Sequence, residues 1–406
     1  MQDYDVIVVG GGPAGAAGAA FLGKSGKKVL VLDKAHFPRD KTCGDGISGK
    51  SMRVLKELGI TDAIERAPHG KIHGVVFSSP NGTVVEIPIQ KGNAQKIDYG
   101  YCCRREVFDN VLFQNAKKNA ETMEGFQVTD LITEGGAVVG VKGVGEDKKD
   151  YEFRAKVVVG ADGANSIVAR KLGVYDARPD HWCVAIRGYY KNVRGLTPNI
   201  ELHFIDETMP GYFWIFPLEN GYANVGVGMV LRDQRKKQVN LKEAMNKAMK
   251  DNPLFRDRFA QAELVGDIKG WNLPFGSWHW KAHGSGWLLI GDAAALVDPF
   301  TGEGIGNALL TGKMAAEAIN EAFAANDFSE AFLKRYEDRM RAELDHELQN
   351  SYRMQRVGTK NWLLNFFMGK AARSEELRDM IAGTLTDAHS RNKYVSPLFY
   401  LRVLLA

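Results

Sequence analysis

A thiol and a carboxylate, Cys43 and Asp45, flank Gly44 in the polar loop HFPRDKTCGDG. A thiol holds a proton or acts as a redox partner, and a carboxyl group becomes an acid near neutral pH when burial raises its pKa. Upstream, VVGGGPAG carries glycines at 10, 12 and 15 in the spacing G-x-G-x-x-G. That spacing serves phosphate chemistry. Gly10 permits a tight turn, Gly12 lets the backbone approach a pyrophosphate, and Gly15 lets helix and strand pack closely. Pro13 and Ala14 open the helix whose positive N-terminus faces the phosphates. Asp33, with Lys34 beside it, follows about 20 residues on at the end of a second strand, where it accepts hydrogen bonds from a ribose. The spacing alone leaves NAD and FAD open.

These residues need a frame. YDVIVV at 4–9 reads as a buried parallel strand, AGAAGAAFLGKSG as a small-residue helix and KKVLVLD as the next strand, a βαβ unit. Helices are expected near 48–58, 105–120, 241–250 and 304–325, and from 328 onward. Residues 71–98 and 183–230 read as strands and turns, and 124–144 as a meander. Strands 155–160 and 286–290 each lead into a Gly/Asp pair, Asp162-Gly163 and Gly291-Asp292.

The chain has 406 residues, a net charge of +4, 45% hydrophobic and 25% charged residues, and 44 glycines. That suits a globular protein of two or three domains rich in tight turns. The charge is too mild, and too evenly spread, for nucleic acid. The four cysteines lack zinc spacing, so no metal site is expected and a reducing, cytoplasmic setting is. The N-terminus lacks a signal-peptide n-region, and no stretch reaches the ~20 apolar residues that span a bilayer.

The triplet of GxGxxG, then DG, then GD, in that order, resembles the FAD-dependent family that includes p-hydroxybenzoate hydroxylase. The resemblance implies FAD. The GD aspartate, Asp292, would bind its ribitol. The helix opening at Gly304 and Ile305, with Gly302 and Gly304 clearing the ring edge, would point its N-terminus at the flavin. RREVFDNVL resembles the family's R-x-x-F-D-x-x-L, which puts Arg105 near the phosphate or ribitol. GFQVTDLITEGGAVVGV resembles the strand whose valine backbone, at Val128, holds the adenine. Within the superfamily, Y-x-W-x-F-P followed by G-x-G and a CGDG loop resembles the geranylgeranyl and menaquinone-side-chain reductases over residues 1 to about 310. In that family the Cys43–Gly44 loop would cover the flavin.

The implied fold class is α/β: a Rossmann-like FAD-binding domain (1–75, 98–175 and 280–330) interleaved with an α+β, antiparallel-sheet substrate domain (76–97 and 176–279), then a C-terminal helical region (331–406). The implied activity is saturation of isolated double bonds of a prenyl lipid by flavin N5 hydride transfer plus protonation. Cys43 or Asp45 would supply the proton. NAD(P)H or a reduced carrier protein would supply electrons, since no second strand–GxGxxG–helix unit is present. The rival reading is a class A flavin monooxygenase hydroxylating an aromatic substrate with NAD(P)H and oxygen. A flavin halogenase fits less well, because its W-x-W-x-I-P is here Y-F-W-I-F-P.

The stretch PGYFWIFPLENGYANVGVGM reads as a hairpin turning at Asn220-Gly221. A two-residue turn sets Gly226 opposite Ile215 and Gly228 opposite Phe213. The expected lipid groove is then a hollow walled by Phe213 and Ile215, with Tyr212 and Trp214 on the other face. Glycines in strands also mark bulges or close packing. Finally, residues 350–406 carry net charge +5 with Trp362, Leu363, Leu364, Phe366, Phe367 and Leu398, Phe399, Tyr400, Leu401 among the basics. That suits a helix in peripheral contact with an anionic membrane, or packing onto the body.

Overall fold

The structure is a computed structural model in which residues 3–89 and 100–386 are described. The expectations for 90–97 and for Leu398 to Leu401 lie outside the described residues.

The first strand, Asp3–Val9, is apolar because both its faces are covered. It pairs in parallel with Val29–Leu32 on one side and Asp150–Gly160 on the other, with Val6 opposite both Val29 and Val157. Glu121–Met123 and Trp287–Leu289 extend this parallel sheet. An antiparallel meander, Gln127–Glu134 and Ala137–Val144, grows from the far half of Asp150–Gly160. The first helix, Pro13–Lys24, owes its small residues to the long helix Ile305–Ala325 crossing it. A Cβ on Gly312 would stand 2.4 Å from the Ala14 carbonyl oxygen, so only a bare position permits that approach.

A seven-stranded sheet forms the second layer. Its order is Glu263–Pro274, Trp182–Lys191, Ala223–Val230, Tyr212–Pro217, Asn199–His203, Gly74–Ser78, Val84–Pro88, antiparallel except between Asn199–His203 and Gly74–Ser78. Its strands come from 74–88 and 182–274, between segments of the first sheet, so the two units are interleaved. Helices Leu241–Asp251 and Arg256–Phe259 cover one face through Met245, Ala248 and Phe259. The other face looks toward the first sheet and the C-terminal helices.

The hairpin differs from its expectation. The Leu218 amide donates to the Tyr222 carbonyl, and a three-residue turn, Glu219–Gly221, replaces the two-residue one. The register moves by one residue: Trp214 faces Gly226 and Tyr212 faces Gly228. A one-residue slip exchanges the faces of every side chain. Phe213 and Ile215 are therefore fully buried in the core under the covering helices, not in a groove.

The C-terminal region is helical through Glu330–Val357, Asn361–Ala371 and Glu375–Thr386. Phe366, Phe367 and Met368 turn inward onto the second sheet, while Trp362 stands 70% exposed. No helix among the described residues is long and apolar enough to cross a membrane.

Candidate active site

A cavity of about 1690 Å³ lies between the two sheets. It exceeds the roughly 300–1,000 Å³ usual for one small ligand, which leaves room for two. Gly10, Gly12, Pro13, Ala14, Asp33, Lys34 and Val128 line one end. Gly10 has φ +104°, and a Cβ there would lie 2.4 Å from the Ala161 oxygen. Gly15 is buried beneath, where a Cβ would meet the Gly10 oxygen at 1.9 Å. Asp33 ties the loops together: Oδ2 accepts from the Gly11 amide at 2.7 Å and Oδ1 from the Ala35 amide at 2.8 Å. Its remaining lone pairs face the cavity. Asp162 caps the short helix Ile167–Lys171, accepting from the amides of Ile167 and Val168 and from Ser166 Oγ. Gly163, at φ +78°, turns the chain beside it.

Asp292 behaves differently. It lines the cavity, and its carboxylate accepts no hydrogen bond from a described residue. Burial raises its pKa above the usual carboxylate range, and the nearby cations Lys41 and Arg105 pull it back down. Gly291, at φ +59°, turns the chain into it but does not itself line the cavity. Gly304 starts the long helix without a side-chain cap, and its Cα is bare where a Cβ would come 3.3 Å from Asp292 Oδ1. Gly302, Gly304 and Ile305 thus bring a helix start to the cavity, where Glu303 Oε1 accepts from the Gly306 amide at 3.0 Å. An unpartnered carboxylate, two bare glycine turns and the uncapped N-terminus of the first helix fit the hydroxyls and phosphates of FAD.

The loop bearing Cys43 crosses the middle of the cavity. Cys43 and Gly44 line it, whereas Asp45 does not. At φ +67° the Asp45 carboxyl turns into the protein. There Oδ2 accepts from Asn224 Nδ2 at 2.8 Å and from the Tyr189 hydroxyl at 2.9 Å, and Oδ1 from the Arg105 amide at 3.3 Å. Burial pushes its pKa up to about 6 against these donors and the nearby arginines. The acid expected at Asp45 is fully buried and does not line the cavity. Asn224 also donates to the Cys43 carbonyl at 2.7 Å and accepts from Trp214 Nε1 at 2.9 Å. One amide therefore locks loop, carboxylate and indole together. Arg105 lines the cavity and is clamped by Asp109, Nε to Oδ1 at 2.6 Å and Nη2 to Oδ2 at 2.7 Å. Burial opposes its charge, and Asp109 more than restores it.

Three residues escaped sequence reasoning. Asn224 is a polar residue in an otherwise apolar strand, the one local signal available. Arg39 shares the Asp109 carboxylate with Arg105 and brings Nη2 to 3.6 Å from where a Gly12 Cβ would stand. It is placed to hold a pyrophosphate. Lys41 lines the cavity with its ammonium 3.6 Å from the Trp271 ring centre. Burial and the nearby Arg105 lower its pKa to about 7, with Asp292 and Asp109 opposing.

Beyond the loop the lining turns apolar, with Val75, Ile200, Leu202, Trp214 and Phe216. A Cβ on Gly226 would stand 2.3 Å from Trp214 Cζ2, and one on Gly228 would meet Trp214 Cζ3 at 3.7 Å. The bare positions are the bed of the Trp214 indole. Tyr212, Trp214 and Gly228 line the cavity, while Phe213, Ile215 and Gly226 do not.

The FAD binding domain family matches residues 3–350. The chain belongs to this family. It is a FAD-dependent oxidoreductase. Among relatives in this FAD-binding family, the menaquinone reductase of Mycolicibacterium smegmatis is 36% identical over 338 residues, covering 81% of this chain and 79% of that protein. Digeranylgeranylglycerophospholipid reductase 2 of Methanopyrus kandleri is 34% identical over 348 residues, covering 84% and 83%. A geranylgeranyl bacteriochlorophyll reductase-like structure from Thermoplasma acidophilum shares the fold, with TM-score 0.84, 24% identity and 97% and 99% of the two chains covered. A flavin-dependent brominase also superposes, with TM-score 0.78, 25% identity and 99% and 100% covered.

Proposed function

We propose that this oxidoreductase saturates isolated double bonds in the tail of a prenyl lipid. One observation carries the reading: a single cavity runs from the phosphate-binding glycines to an apolar lobe floored by Trp214 on Gly228. The relatives named as menaquinone and digeranylgeranylglycerophospholipid reductases support it. FAD, bound and reduced, supplies a hydride.

An isolated alkene is a poor hydride acceptor, so the chain must let positive charge grow at the more substituted carbon while a proton arrives at its neighbour. The faces of Trp214 and Tyr212 suit that charge. Of the groups lining the cavity that can hold a proton, Cys43 and Lys41 lie in the loop beside Trp214; Asp45 instead positions Cys43 through Asn224. The lowered pKa of Lys41 makes its ammonium an acid that gives up a proton near neutral pH. Arg105, Arg39 and the uncapped start of the first helix offset the cofactor's negative charge. Among the described residues no second dinucleotide-binding turn is present, so electrons come from NAD(P)H visiting this same cavity or from a reduced carrier protein. Peripheral contact with a membrane follows from a lipid substrate.

The test is anaerobic. Holoenzyme is reduced chemically and mixed with a geranylgeranyl lipid that carries no quinone. Reoxidation of the flavin, with two hydrogens gained per double bond in the lipid's mass spectrum, is expected. A flavin that stays reduced with every prenyl lipid, yet reoxidises with oxygen and hydroxylates an aromatic, sinks the reading.

A further inference from the structure

The turn between helices Glu330–Val357 and Asn361–Ala371 places unlike residues at one corner. Trp362, 70% exposed, heads it, beside the exposed Val357. A shallow cleft at the same corner is lined by Arg232, Lys237, Arg356, Lys360 and Pro210. Arg235 and Lys236 are exposed on the same short helix as Lys237. The acids here are few. Asp233 and Asp180 pair with Arg232, and Asp206 accepts from Asn361. Among the described residues, Lys237, Arg356 and Lys360 have no carboxylate within ion-pair distance. The corner is therefore positive beside an exposed indole.

The cavity reaches the same corner. Pro210 lines both the cleft and the cavity, and Gln355, in the last turn of helix Glu330–Val357, and Gly358, in the turn between the two helices, line the cavity. Near them the cavity wall is Phe204, Pro299 and Phe300, all apolar. A tryptophan ring prefers the boundary of water and acyl chain, and neighbouring basic side chains are drawn to anionic headgroups.

We propose that this corner is a membrane-docking point and a portal: Trp362 seats in an anionic leaflet, Lys237, Arg356 and Lys360 meet its phosphates, and a lipid tail enters past Pro210 and Gly358. The proposal rests on the lipid-reductase reading, and its test separates the two. The basic residues of the cleft come from two segments, 232–237 and 356–360, so the positive patch is not an accident of one helix. Phe366 and Phe367 play no part, since they are turned onto the second sheet.

Holoenzyme is floated with vesicles of phosphatidylcholine alone or with phosphatidylglycerol, and turnover is measured in parallel on detergent-dispersed prenyl lipid. Wild type is expected to float with the anionic vesicles and to sediment with the neutral ones. Trp362→Ala is expected to lower the floated fraction several-fold. Arg356→Glu with Lys360→Glu is expected to abolish flotation. Both variants keep detergent-phase turnover, which shows that they fold. Wild type that turns over dispersed lipid but never floats, or variants that float like wild type, overturn the docking proposal and leave the reductase reading intact. Flotation that depends on Trp362, without turnover of any prenyl lipid, keeps the docking surface and removes the reductase reading.

Discussion

Asp45 and Asp292 are both buried aspartates a short way from the same cavity, yet they are opposites. Asp45 takes three hydrogen bonds from Asn224, Tyr189 and the Arg105 amide and turns its back on the cavity. Asp292 faces the cavity, and its carboxylate takes none from a described residue. Burial raises both pKa values. The difference lies in satisfaction: a buried carboxylate already supplied with donors serves the fold, and one left without them is shaped for a ligand that brings donors.

The largest expected effect tests the satisfied member. Asn224→Ala removes a donor from Asp45 and orphans Trp214 Nε1 at once. Two buried groups lose partners at about 1–3 kcal/mol each. Chemical denaturation should therefore show a loss of roughly 4 kcal/mol, with FAD content falling as the Cys43 loop loosens. If Asn224→Ala unfolds like wild type, the lock is illusory.

Next is the pH dependence of Asp45. Its folded pKa, about 6, stands above the unfolded value of 3.8. The folded protein thus binds this proton more tightly than the unfolded chain does. The stabilising contribution is complete below pH 3.8 and is lost as the pH rises to about 6. Asp45→Asn should remove that slope and gain on wild type across this window, by on the order of 2–3 kcal/mol. Parallel stability curves for the two proteins would contradict it.

Asp292→Asn tests the unsatisfied member. Losing a charge-assisted hydrogen bond to the ligand costs about 1.5–3 kcal/mol, so FAD should bind roughly tenfold to a hundredfold more weakly while the apoprotein's Tm holds. Lys41→Met should have the smallest effect. It removes the cation that steadies Asp292, so FAD affinity should fall only a few-fold, and the alkaline limb of turnover near pH 7 should vanish if Lys41 gives up a proton in the reaction. A pH profile unchanged by Lys41→Met excludes Lys41 as the proton source and turns the test to Cys43.

What the sequence disclosed follows from the range of each interaction. Gly10, Gly12, Gly15 and Asp33 lie within one βαβ unit, so their spacing carried their placement. The order of the Asp162-Gly163 and Gly291-Asp292 pairs located two more strand ends. The hairpin failed on a local detail. Asn220 and Gly221, at φ +54° and +75°, do turn the chain, but with Glu219 they make three turn residues, and the extra residue exchanged the faces. Asp45 was legible as a residue that burial would protonate, but not as one aimed inward, because its direction is set by Tyr189 and Asn224, both more than a hundred positions away in the chain. Lys41, Arg39 and Asn224 were missed for the same reason: their neighbours are distant in sequence.

The indole of Trp214 lying on the naked peptide of Gly226 and Gly228 has one further consequence. That stretch of floor is planar, without ridges to mark one repeat of a chain from the next. On the proposed reading, such a surface gauges the girth of a tail and leaves its longitudinal position free. Which unsaturation meets the ring is then fixed from outside, by how far the headgroup lets the tail advance.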